Sequence, residues 1–219
     1  MSNATCMPDT IVTHLANQGL ILRKRLVSGG PIRAIIVHLL VVGVFGVFLP
    51  WWLGFQFLDP VTITAYCCLG VMFSAPAAAQ AFAGERPGSM GEALARIAVT
   101  VLYGEIMTAA ILLAGFLTFF SNHSSALFAP DFLSLGEAGA LGLSGSIAMA
   151  AIAAWLALRF SAGAARVALR VIFLGLLLLL VYRSRSLPDV VVAGTLVCLG
   201  VAVVVILALR QVIAHAAPK

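Results

Sequence analysis

Apolar residues in this chain run together in long blocks, broken by short polar stretches, with no strict alternation of apolar and polar positions. Six blocks approach the ~20 residues that a membrane-crossing helix needs: Ala34–Leu53, Val61–Phe82, Ile97–Phe120, Ala138–Leu158, Val167–Tyr182 and Val190–Leu209. Leu, Ala and Val dominate them without the period-two pattern of barrel strands, so the expected spans are helices. The fifth block is the shortest, with a dozen apolar residues between Arg170 and Arg183. It requires snorkelling arginines, a thinned bilayer or a re-entrant path. Ahead of the first block, Asp9 to Val27 predict an amphipathic helix. Asp9 caps its start, and Ile11, Leu15, Leu22 and Leu26 recur at helical intervals, with His14, Arg23 and Lys24 mostly elsewhere on the wheel. Gly29-Gly30-Pro31 ends it.

Composition sharpens this into a class. Of 219 residues, 62% are hydrophobic and 10% charged, more apolar surface than a water-soluble domain of this size can bury. The expectation is an all-α integral membrane protein with six transmembrane helices and an N-terminal interfacial helix. The formal net charge is +5, but the basic residues sit at the ends of spans and form no phosphate-binding stripe, so no nucleic-acid partner is expected. With both termini in the cytosol, Arg23, Lys24, Arg25, Arg33, Arg86, Arg96, Arg159, Arg166, Arg170, Arg210 and Lys219 lie inside, against Arg183 and Arg185 outside. That asymmetry fixes an N-in/C-in orientation. Residues 1–30 are then a cytosolic tail and interfacial helix attracted by anionic membrane lipids, 31–212 the six-helix domain, and 213–219 a cytosolic tail. Trp51 and Trp52, after Pro50, suit the outer interfacial belt. The basic cluster comes late and no cleavage site follows a short apolar core, so the first span is expected to be an uncleaved anchor.

Chemistry-bearing residues are few. Cys67, Cys68 and Cys198 fall inside apolar runs and Cys6 in the polar N-terminal segment, and none has a metal-ligand spacing with histidine, so small packing residues are expected. No Ser/His/Asp set, carboxylate pair or metal cluster is visible, and no catalysis, metal or cofactor is expected of this chain. The only lysines, Lys24 and Lys219, lie in no phosphate-binding loop, so any ATP hydrolysis belongs to a partner subunit. Two stripes of small residues at four-residue intervals, Gly70–Ser74–Ala78 and Gly142–Ser146–Ala150, mark faces where helices pack closely.

The polar stretch Ala83 to Arg96, AGERPGSMGEALAR, interrupts this apolar background between the second and third spans. Pro87 and Gly88 end the incoming helix, and Ser89 precedes Glu92 by three residues, the spacing of a capping box. A short capped helix is expected there, with Met90, Leu94 and Ile97 on its apolar face, lying across the membrane surface over about residues 83–100. Glu105 is the one acid inside an apolar run. If the third span begins near Ile97, Glu105 lies about 12 Å along it. If the elbow helix continues to about Thr100, the acid sits near the interface, and the capped elbow favours that placement. His38 is alone in the first span, and an interhelical polar contact is expected of it, as of Tyr66 and Gln80 in the second. Arg159, Arg166 and Arg170 share a helix face and read as snorkelling topology residues or as contacts to anionic lipid or an acidic partner surface.

The small-residue end of the second span, followed by Glu85-Arg86, Gly88-Ser89, Leu94 and Gly104, resembles the corresponding region of type-2 ABC transporter permeases. The likeness extends loosely over the chain in its basic N-terminal helix, six spans and two cytosolic ends. Departures are Glu105 where the family usually has lysine, a segment about two residues shorter, no proline near Ile97, and a short outer turn from Arg183 to Asp189. The resemblance implies a permease half that forms the membrane pathway with a second copy or a paralogous permease, coupled to a cytosolic ATP-binding subunit in a cell inner membrane. It also implies that Glu85, Arg86, Gly88, Ser89, Glu92 and Arg96 form the coupling element. The rival reading is a non-transporting scaffold or accessory subunit of a larger membrane complex, carrying a pigment or haem on His38. A membrane enzyme acting on lipid lacks a catalytic set.

Overall fold

The computed structural model describes residues 13, 15–21, 30–83, 86–123, 132–160, 164, 167–169, 171–172, 175 and 187–216. These residues form helices and turns and no strand. The main elements are α1 (Pro31–Val42), α2 (Leu49–Leu53), α3 (Pro60–Cys67), α4 (Leu69–Ala83), α5 (Met90–Asn122), α6 (Phe132–Arg159) and α7 (Leu187–Ala216). Five stretches among them are long and apolar enough to cross a membrane: Ile32–Leu58, Pro60–Ala83, Met90–Asn122, Leu135–Arg159 and Val191–Ala214. The chain is therefore an all-α, multi-pass membrane protein. The expected fifth block, Val167–Tyr182, lies largely outside the described residues, as does most of the N-terminal helix, of which residues 15–21 are helical.

The first span is one path built from three helix types. α1 starts at Pro31 behind Gly30, whose φ of 99° is open to glycine and whose carbonyl accepts from Ala34. It widens into a π-helical turn at Gly43–Phe48, continues as α2, and ends in a 3₁₀ turn at Gly54–Leu58. The π turn coincides with intruding side chains. Tyr66 donates its hydroxyl proton to the Phe45 carbonyl at 2.8 Å, and Thr118 donates to the Gly46 carbonyl at 3.3 Å. Such diversion of backbone carbonyls is a recognised cause of π-bulges. Trp51 and Trp52 are exposed beyond it.

The second span is broken in the middle. α3 is capped by Asp59, whose carboxylate accepts the Val61 N–H at 2.8 Å, and it stops at Cys67. Cys68 is a turn residue, and the Val71 N–H reaches back only three residues, to the Cys68 carbonyl at 3.2 Å. α4 carries Pro76 in its interior, where the missing N–H leaves the Met72 carbonyl without its helical donor.

Packing centres on the second and fourth spans, over half of whose most apolar stretch is buried, while the first and last spans are exposed along most of their length. One apolar cluster joins Val71, Ala75, Ala78, Phe82, Ile97, Val101, Ala150 and Leu209 at the elbow end of the bundle. A second joins Phe57, Tyr66, Ile111 and Phe119 toward the other end. Both small-residue stripes meet within this chain, with Gly70, Ser74, Ala78, Gly142, Ser146 and Ala150 all buried. The reason is steric. A β-carbon on Gly142 would collide with the Cys67 carbonyl oxygen, and one on Gly104 would lie 2.6 Å from the Gly70 carbonyl oxygen. The backbones touch because nothing stands between them.

Gly142→Leu and Gly104→Leu are therefore expected to destabilise the purified chain by about 2 kcal/mol or more through overpacking. Gly200→Ala in α7, where nothing lies within 4 Å of the added carbon, should be neutral or slightly stabilising. Thermal unfolding in detergent, followed by tryptophan fluorescence, separates the two outcomes.

Candidate functional site

Two polar features stand out from the apolar bundle: the elbow between the second and third spans, and a layer of small polar residues midway along the helices.

At the elbow, Ser89 has extended backbone angles (φ −148°, ψ 161°), and its Oγ accepts the Glu92 N–H at 3.2 Å, the first half of a capping box. The second half differs from expectation. Glu92 Oε2 accepts the Gly88 N–H at 2.8 Å, one residue before the cap, because Oε1 is held by Arg96 on the next turn. Arg96 extends the connection. Its Nη1 donates to the Ala81 carbonyl at 3.0 Å near the end of α4, and its guanidinium lies 5.7 Å from the centre of the Phe82 ring. Arg96 is only 4% exposed, a strut that ties α5 to α4 and lies beneath the exposed tip. Arg86, Gly88 and Ser89 are exposed at the tip, and Pro87 is buried beneath them. Glu85 lies outside the described residues.

The expected short helix lying across the membrane surface is absent among the described residues. Met90 instead begins a helix that continues unbroken to Asn122. Ala93, Ile97 and Val101 keep one buried face in register, and no proline interrupts it, so nothing stops the helix.

This continuity sets the position of Glu105. The residue lies about 22 Å from Met90 along α5, near the middle of that helix. Around it is a notch formed by Gly70. A β-carbon placed on Gly70 would lie 2.6 Å from Glu105 Oε1, 2.8 Å from Ser146 Oγ and 3.2 Å from Thr108 Oγ1. Two spans, the third and the fourth, thus crowd oxygen atoms against the bare Gly70 of the second. The Thr108 hydroxyl donates to the Gly104 carbonyl at 3.1 Å. Glu105 Oε1, Ser146 Oγ and Ser74 Oγ are buried without a hydrogen-bond partner, and both serines are fully buried. Unsatisfied oxygens inside a membrane bundle are costly and mark a site by default.

The remaining polar residues stand apart. His38 links the first and third spans: its Nδ1 is 2.6 Å from the Ala34 carbonyl and its Nε2 2.6 Å from the Tyr103 hydroxyl. A carbonyl only accepts, so Nδ1 carries the proton and Nε2 accepts from Tyr103. Both ring nitrogens are engaged. Gln80 is exposed on α4, away from the notch. Arg159 is exposed, while Arg166 and Arg170 fall outside the described residues. Among the described residues, no three His, Cys, Asp or Glu side chains converge on a common point. Thr108 and Tyr103 escaped sequence reasoning. The helical spacing of Gly104, Glu105 and Thr108, all on one turn, was the available signal.

Arg96→Ala is expected to lower stability by about 2 kcal/mol, because it removes a buried guanidinium that donates to the Ala81 carbonyl and pairs with Glu92. Arg96→Lys should restore little, since an ammonium does not span both acceptors as the guanidinium fork does. Chemical or thermal unfolding of the three variants in detergent provides the measure. No protein-family model, curated protein or solved structure matches the chain.

Proposed function

We propose that this chain is the permease subunit of an ABC-type transporter of a cell inner membrane, with six transmembrane helices, both termini in the cytosol, and a separate ATPase docked at the elbow. A second copy or a paralogous permease completes the pathway. The observation that carries this reading is the bracing of the elbow. Ser89, Glu92 and Arg96 join the exposed tip, the first turns of α5 and the end of α4 into one unit. Force applied to Arg86 or Ser89 is thereby delivered to two spans at once. A loop without these bonds would absorb it.

Polarity supports the same reading. Among the described residues, the elbow carries exposed polar groups at the end of a bundle whose helix faces are largely apolar, so a soluble partner has a place to bind. The positive-inside asymmetry puts this tip in the cytosol, where ATP is available. Both His38 nitrogens are engaged within the chain, which weighs against the cofactor-carrying accessory subunit.

Purification of the tagged chain from its native membranes in mild detergent tests the proposal. ATP hydrolysis should accompany the wild-type chain and fall about tenfold, a loss of one strong interface contact, when Glu85 and Arg86 are both replaced by alanine. A preparation without hydrolysis, or hydrolysis indifferent to the double substitution, would leave the accessory-subunit reading in its place.

A further inference from the structure

The last span, α7, meets the bundle along one narrow line. Val191, Ala202 and Leu209 share a helix face and are buried there, and Leu141 of α6 lies against Gly194. Most of the remaining circumference is open. At 100° per residue, Val192, Leu196, Leu199, Val203, Leu207 and Arg210 fall within a sector of about 80°. All six are exposed. They form a stripe about 27 Å long, close to the ~30 Å of a hydrocarbon core, with one cation at its end. Arg210 makes no ion pair among the described residues.

We propose that this stripe binds one anionic phospholipid, its phosphate on the Arg210 guanidinium and an acyl chain along Leu207, Val203 and Leu199. Positive-inside asymmetry places the Arg210 end of α7 in the cytosol, where anionic headgroups are concentrated. A guanidinium fork matches two phosphate oxygens. From Arg210 to Leu199 is about 16 Å, roughly the depth of hydrocarbon in one leaflet. Leu196 and Val192 then face the opposite leaflet.

The order of groups selects this occupant. A free phosphate would satisfy the guanidinium and leave the apolar stripe untouched. A second copy docked through the same face about a two-fold axis along the membrane normal would set one Arg210 beside the other, two like charges at one depth. A phospholipid joins a phosphate to an apolar chain, in the sequence in which α7 presents their partners.

The site is independent of ATPase coupling and is tested without a partner. The full chain, purified in detergent, is unfolded thermally with increasing dioleoyl phosphatidylglycerol, dioleoyl phosphatidylcholine or water-soluble glycerol phosphate at equal ionic strength. Native mass spectrometry counts the lipid retained. Phosphatidylglycerol alone should raise the wild-type midpoint in a saturable manner. Arg210→Gln should weaken that response about fivefold, the contribution of one cation at an anionic surface, while Arg210→Lys keeps most of it. Arg210 is exposed and unpaired, so the Arg210→Gln midpoint in phosphatidylcholine should match the wild type, which separates lost binding from lost folding. Equal wild-type responses to the two lipids, or an undiminished phosphatidylglycerol response in Arg210→Gln, would overturn the site. Glycerol phosphate reproducing the response would reduce it to a bare anion contact. Oxidative cross-linking of Val203→Cys into a dimer that the wild type does not form would put a second copy on the stripe instead.

Discussion

Direct backbone contact at Gly70, Gly104 and Gly142 is the constraint on which the bundle depends. Lipid tails are as apolar as leucine side chains, so helices in a membrane gain little by hiding apolar surface from their surroundings. They associate where shapes allow close approach. Here the second span is held between the third and fourth, with the Gly70 carbonyl against Gly104 and the Cys67 carbonyl against Gly142. Apolar clusters close above and below, but the depth of contact is set by three missing side chains. The polar layer follows from that closeness. Only small hydroxyl-bearing residues fit alongside, and Glu105, next to Gly104, has its carboxylate directed among them.

The first span relates to this centre differently. It is largely exposed, and polar contacts join the apolar packing of Phe57 in attaching it. Tyr66 and Thr118 donate to the carbonyls of its π turn, and Tyr103 donates to His38. Gly46 also allows the π turn to approach Ala114 and Ile111 of α5. Hydrogen bonds of this kind hold orientation without demanding a large buried area. A widened turn is the local cost of lending backbone carbonyls to neighbouring side chains.

Membrane class and the helical nature of the spans were readable in the chain because block length and residue type report the solvent directly. The two small-residue stripes were readable for the same reason, and so was the Ser89–Glu92 cap, which depends on a local spacing. The partner of each stripe was not readable. Four-residue periodicity identifies a face but carries no information about what lies opposite. The burial of Arg96 was not readable, because a basic residue near a span end has the same appearance whether it faces water or folds back onto Ala81. The separate surface helix was expected because a strong N-cap was taken to mark a short element. A cap determines where a helix begins, whereas its length depends on the absence of a stop, and α5 has no proline to provide one.

That uninterrupted helix connects the two polar features. The elbow begins α5, and the notch lies on the same helix about 22 Å away, within one continuous hydrogen-bonded ladder. Arg96 fastens the start of α5 to the end of α4, so those helices form a pair at the elbow. Three of the notch's contributors, Gly70, Glu105 and Thr108, belong to that pair, while Ser146 belongs to α6. A rigid displacement of the pair therefore leaves the carboxylate, the threonine and the glycine in place relative to one another. It changes their distance to Ser146. The fourth span, which carries Ser146, is thus the surface against which any displacement of that pair would be read by the polar layer.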